Sequence, residues 1–250
     1  MTISTDTTTT SPSRAPLAGF AAQLLLLVVL AASAGLSSWG WVAGVAFGVV
    51  LCGLLHRAAL PSLGWANLIT FGRAILTGGV FALVATSASG VAVPALLLVT
   101  IATVALAMDG VDGQVARRTG TSTSFGARFD MEVDAFLILV LSVSAAIEHG
   151  WWALAIGAFR YVFVVASWLW PWLNAPLPPR FGRKVVAAQQ GVMLAVVASG
   201  LLPGWLAVAT LGVALGSLTW SFGRDVVWLH QASRVRETAR ERWSATLVTQ

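Results

Sequence analysis

The sequence predicts an all-α, polytopic membrane helix bundle, and three observations carry that expectation. Of 250 residues, 57% are hydrophobic and only 10% are charged. A soluble domain of this length carries roughly a quarter charged residues, so an ordinary globule surrounded by water is excluded. The mean hydropathy of +0.82 agrees. Finally, apolar runs of the length that crosses a bilayer, about 17–25 residues, fall at eight places, separated by short turn-like breaks.

Residues 1–16 are rich in Ser, Thr and Pro and poor in apolar side chains, so a disordered cytoplasmic N-terminus is expected there. Residues 17–56 hold two membrane helices, at 17–35 and 38–55. Six more follow within residues 57–224, at 68–88, 92–117, 127–148, 151–171, 184–202 and 205–224. Small and turn-forming residues mark the breaks, as in Ser87–Gly90, Glu148–Gly150 and Leu202–Gly204. Residues 225–250 form a basic cytoplasmic tail in which Arg234, Arg236, Arg240 and Arg242 stand beside Glu237 and Glu241. That tail suits a solvated helix lying on an anionic lipid surface.

The location of the cations sets the expected orientation. Arg14, Arg57, Arg73, Arg117, Arg118, Arg128, Arg180, Arg183, Lys184, Arg224 and the tail arginines fall at or near one side. The turns of the other side contain no Lys or Arg. Basic residues stay cytoplasmic, so an integral protein of the plasma or inner membrane is expected, with both termini and the active site facing the cytoplasm. A net charge of +5 on a soluble protein would suggest nucleic acid. Here the cations track the membrane interface, so the partner is the lipid bilayer and no nucleic acid is expected. Trp39, Trp41, Trp151, Trp152, Trp168, Trp170 and Trp172 cluster at the predicted interfaces, as an aromatic belt does. A single cysteine, Cys52, excludes an internal disulfide and a cysteine-rich metal site.

Five of the ten acids lie between positions 109 and 134: Asp109, Asp112, Asp130, Glu132 and Asp134. One Asp in hydrocarbon costs about 2.5–3.5 kcal/mol on insertion scales, so four cost on the order of 10 kcal/mol unless something compensates them. At 100° per residue, Asp109, Asp112, Gly113, Ala116 and Arg117 fall within about 140° of one helix face. Gly126, Asp130 and Asp134 fall within about 80° on the next helix, and Glu132 points elsewhere. A short polar turn joins the two helices, so these faces are expected to oppose each other. Hard, anionic oxygen ligands suit Mg²⁺ or Mn²⁺ rather than zinc, and two such ions suit displacement at phosphorus. Ion pairing with Arg117, Arg118 and Arg128 accounts for one or two of the acids and leaves the two facing stripes unexplained.

The run Asp109-x-x-Asp112-Gly113-x-x-Ala116-Arg117, eight residues, then Gly126-x-x-x-Asp130-x-x-x-Asp134, resembles the signature of the class-I CDP-alcohol phosphatidyltransferases at every fixed position. Asn67-x-x-Thr70-x-x-Arg73 resembles the opening of that family's first core helix, with Ala66 where the family has Pro. The resemblance implies a six-helix CDP-alcohol phosphotransferase core, to which the two N-terminal membrane helices are additional. It implies transfer of a phosphatidyl group from CDP-diacylglycerol to an alcohol, releasing CMP. By the same resemblance Asp109, Asp112, Asp130 and Asp134 would hold two Mg²⁺ or Mn²⁺ ions, and Asp134 would be the catalytic base. Asn67, Thr70, Arg73, Gly113, Ala116, Arg117 and Gly126 would receive the CDP-lipid, and a homodimer would be expected.

Arg180, Arg183 and Lys184 have two readings, a positive-inside anchor or a basic pocket for a phosphate on the acceptor. The second favours a phosphorylated polyol, glycerol 3-phosphate or inositol phosphate, among the small alcohols. Gln189 and Gln190 fit helix–helix hydrogen bonding. Two other classes compete with the enzyme. A divalent-cation transporter needs a polar path through both leaflets, whereas the far halves of these helices are almost purely apolar. A non-catalytic scaffold has no need of all four aspartates.

Overall fold

The computed structural model describes the backbone of residues 15–57, 65–119, 124–178 and 180–248, and the side chains of residues 16–57, 69–110, 126–178 and 180–234. Every predicted run is helical. The helices are α1 (Ala15–Ala34), α2 (Ser38–Arg57), α3 (Trp65–Ala88), α4 (Ala95–Thr119), α5 (Ser124–His149), α6 (Leu154–Leu169), α7 (Phe181–Ala198) and α8 (Gly204–Val248). Short 3₁₀ turns at Trp151–Ala153 and Pro171–Asn174 flank α6, and no strand occurs among the described residues.

The ends follow local chemistry. Gly35 takes φ +69° just after α1, where its N–H donates to the Ala31 carbonyl at 3.0 Å. A side chain rarely tolerates that left-handed backbone, which is why glycine stops the helix there. Pro94 stands immediately before α4, where its missing N–H costs nothing.

Among the described residues, five helical segments are long and apolar enough to cross a membrane: Pro16–Ala34, Ser38–Arg57, Ile69–Ala88, Trp151–Leu169 and Gly204–Arg234. The chain is a polytopic integral membrane protein. The sequence predicts eight spans, and the three helices outside this set include the described apolar stretch Ala95–Gly110 of α4. α4 ends in Asp109 and Asp112, α5 opens with Arg128, Asp130, Glu132 and Asp134, and the 18-residue α7 includes Arg183 and Lys184.

The chain divides into two compact units, Met1–Leu137 and Ile138–Gln250. In the first, α1 packs on α2 and α3, α2 packs on α3, and α3 packs on α4. Helix α3 is the enclosed one: 67% of its apolar segment is buried, against 22% in α1 and 28% in α2. Leu27 and Leu30 of α1, Val80, Ala82 and Leu83 of α3, and Ala102 and Ala105 of α4 form the fully buried core of this unit. Gly44 of α2 lets the backbones approach, because a Cβ there would strike Leu27 and Ala82. Large apolar residues on the outer faces, among them Leu25, Val42, Val50 and Leu96, stay exposed, as a lipid-facing surface requires.

In the second unit α7 and α6 pack on α8, and the Pro171–Asn174 turn packs on both α6 and α8. Gln190 of α7 is buried and donates from Nε2 to the Ala214 carbonyl at 3.1 Å and to Ser217 Oγ at 3.3 Å. That is the interhelical hydrogen bonding its sequence position suggests. Helix α8 continues unbroken past residue 224 to Val248, so no helix end separates its apolar part from the basic tail. Of residues 1–16, expected to be disordered, 1–14 fall outside the described residues, while Ala15 and Pro16 already belong to α1.

Candidate active site

Three helices of the first unit converge on one point. Asp109 lies on α4 after its long apolar run, Asp130 and Asp134 lie one turn apart on α5, and Arg73 lies two turns into α3. One carboxylate oxygen each of Asp109, Asp130 and Asp134 lies within 4.8 Å of the others. The Arg73 guanidinium sits among them. Its Nη1 is 2.5 Å from Asp109 Oδ1 and 2.8 Å from Asp130 Oδ1, and its Nη2 is 2.7 Å from Asp134 Oδ1. Nη2 also donates to the Asp130 carbonyl at 3.1 Å.

The exposures are unequal. The Arg73 side chain is 0% exposed, whereas those of Asp109, Asp130 and Asp134 are 41%, 34% and 38% exposed. The guanidinium thus meets the acids from the protein interior. On either side of Arg73 in the chain, Phe71 and Ala74 of α3 pack with Leu51 and Leu55 of α2 and Val133 of α5, and Phe47, Ile75 and Phe129 close this cluster. Phe47 stacks on Phe136 at 5.2 Å, and Phe81 meets the same ring edge-on at 5.2 Å. Thr77 Oγ1 donates to the Arg73 carbonyl at 2.9 Å and secures the next turn of α3.

This donor set fits a hard divalent cation. Octahedral Mg²⁺ holds oxygens at about 2.1 Å, so opposite ligands stand about 4.2 Å apart, within the spacing seen here. Three carboxylates against one guanidinium also leave two negative charges among these groups, the charge of one such ion.

A family model described as CDP-alcohol phosphatidyltransferase matches residues 63–220. The chain belongs to that family. It is therefore a transferase for substituted phosphate groups, and its chemistry is phosphatidyl transfer in phospholipid synthesis. No curated protein and no solved structure matches it. The match begins after α2, so Leu51, Leu55 and Phe47 reach the cluster from outside the family region.

Of the residues singled out from the sequence, Asp109, Asp130, Asp134 and Arg73 come together, and Thr70 is buried one turn before Arg73. Gly126 is half-buried at the start of α5, and Glu132 is exposed and stands outside the triad. The side chains of Asn67, Asp112, Gly113, Ala116 and Arg117 lie outside the described residues. Arg180 precedes α7, and Arg183 and Lys184 lie in its first turn. Arg183 Nε is 3.4 Å from Asp225 Oδ2 of α8, and its Nη2 donates to the Pro178 carbonyl. Half-buried Arg160 lies within α6. Sequence reasoning placed Arg73 beside the nucleotide and did not foresee its contacts with Asp109, Asp130 and Asp134, nor the packing of α2 against α3. A cation two turns inside an apolar helix does call for a carboxylate partner, which is the signal that points to these three acids.

Proposed function

We propose that Asp109, Asp130 and Asp134, completed by Asp112, form the metal and catalytic site of the transfer, with CDP-diacylglycerol as donor. The observation that carries this reading is the convergence within 4.8 Å of three acids separated by up to 25 positions, all three belonging to the family signature. Two Mg²⁺ or Mn²⁺ ions would supply charge neutralisation at the diphosphate. Asp134 takes the proton of the acceptor hydroxyl, whose oxygen then bonds to the phosphatidyl phosphorus while the bond from that phosphorus to the CMP oxygen breaks. Arg73 engages Asp134 Oδ1, and a carboxylate has about four acceptor positions, so capacity for that proton remains. In this reading Asn67, Thr70, Gly113, Ala116, Arg117 and Gly126 are the residues that receive the nucleotide, a role carried over from the family signature.

The acceptor in this reading is a phosphorylated polyol, glycerol 3-phosphate or inositol phosphate. Its support is the cluster of Arg180, Arg183 and Lys184 around the start of α7, where Arg183 is paired with Asp225 and Arg180 and Lys184 supply the net positive charge. The distribution of basic residues supports a cytoplasmic active site and cytoplasmic termini. Residues 57–224 serve as the catalytic membrane domain, and the family expectation of a homodimer belongs to the same reading.

The test is CMP release by purified protein in lipid, supplied with CDP-diacylglycerol, Mg²⁺ or Mn²⁺, and a panel of alcohols headed by the two phosphorylated polyols. Metal-dependent release with one of them establishes reaction and acceptor together. Release with a non-phosphorylated alcohol alone refutes the acceptor, and release unaffected by chelator refutes the metal.

A further inference from the structure

We propose that Arg73 is the resident counter-cation of the carboxylate site, holding Asp109, Asp130 and Asp134 together from the protein side and opposing the divalent ion, rather than a residue that touches the nucleotide. The inference rests on the metal-site reading above. Both terminal nitrogens of Arg73 are committed to acids and to the Asp130 carbonyl, at 2.5–3.1 Å. The remaining donor, Nε, is buried without a hydrogen-bond partner. A nucleotide arriving from the exposed side therefore meets the half-exposed carboxylates, while the guanidinium lies behind them with 0% exposure.

The arrangement has an electrostatic reason. Three carboxylates from two helices repel one another at this spacing, and a fixed cation offsets that repulsion before any ligand arrives. The planar fork of arginine suits the task, because it reaches several oxygens at once where an ammonium acts as a point charge. The turn of α3 that carries it is packed through Phe71 and Ala74 against Leu51 and Leu55, with no ligand involved. The same positive charge lies within 3 Å of the oxygens that would hold a metal, so it weakens their affinity for a second cation. Arg73 is then a positioning residue that keeps the site assembled and its metal exchangeable.

The experiment uses full-length protein in lipid nanodiscs, with Mn²⁺ as the probe and no nucleotide. In chelator, Arg73→Met lowers the thermal midpoint, and Mn²⁺ restores it. Mn²⁺ binding, read by electron paramagnetic resonance, tightens at least about tenfold over wild type. Adding Asp109→Asn to Arg73→Met removes one of the repelling charges and restores the midpoint in chelator. If Arg73→Met does not fold, the double variant decides: a folded double variant supports charge compensation, and an unfolded one overturns the proposal. Unchanged or weaker Mn²⁺ binding by folded Arg73→Met overturns it too, as does loss of CMP binding with stability and Mn²⁺ affinity unmoved. A wild type that binds no Mn²⁺ sinks the metal reading and this inference with it. A wild type that binds Mn²⁺ beside an unaltered Arg73→Met sinks the inference alone.

Discussion

Arg73 and Arg183 both face acids on other helices, but in different proportions. Arg183 of α7 meets one acid, Asp225 of α8, at 3.4 Å, and the two charges cancel. Arg73 of α3 meets three, at 2.5–2.8 Å, and two negative charges remain. The first arrangement is complete in itself and joins two helices. The second is assembled but unbalanced, and like charges held this close repel one another, a cost that a one-to-one pair avoids. The comparison shows how to tell a fastening from a site: by the charge left over among the described neighbours, not by the presence of an ion pair.

The strongest way to test that distinction is Asp134→Asn, which keeps the shape of the cluster and removes the base. CMP release is expected to fall by about 10²–10⁴-fold, while Mn²⁺ and CDP-lipid binding, measured at equilibrium, stay largely intact. Normal turnover would remove Asp134 from its role. Next in size, Asp112→Asn is expected to raise the Mn²⁺ concentration needed for CDP-lipid binding by at least about tenfold, the loss typical of altered ligation. An unchanged metal requirement would place Asp112 outside the metal shell. The smallest effect belongs to the balanced pair. Asp225→Asn is expected to cost about 1–2 kcal/mol of stability, since the Arg183 side chain is 28% exposed and partly screened. A thermal melt reads that loss, and the metal titration of the variant should overlay that of wild type. A shifted titration would mean the two regions are not separate in function.

Much of this was legible in the sequence because it depends on local pattern. Apolar runs parted by Gly-, Ser- and Pro-containing turns place every helix, and the 3.6-residue repeat puts Asp130 and Asp134 on one face of α5. What the sequence does not show depends on how helices meet. Arg73 is 36 positions from Asp109 and 61 from Asp134, and the rotation of α3 against its neighbours is not encoded in α3 alone. Nor can periodicity find the inner face of α2. A helix that is apolar all round faces lipid on one side and protein on the other with the same residue types, so Leu51 is buried while Val50 is exposed. The continuity of α8 is hidden for a third reason. Composition changes near residue 224, but no proline follows and Gly223 alone does not end a helix, so the backbone continues where the polarity changes.

The wall that α2 builds beside Arg73 has a consequence for what can be transplanted. Leu51 and Leu55 support Phe71 and Ala74, yet they lie before the matched region 63–220. Residues 63–220 moved alone into another protein would carry every letter of the signature and leave that wall behind. The smallest heritable unit of this site is therefore longer than the stretch by which its kinship is recognised, and it begins within the hairpin of α1 and α2.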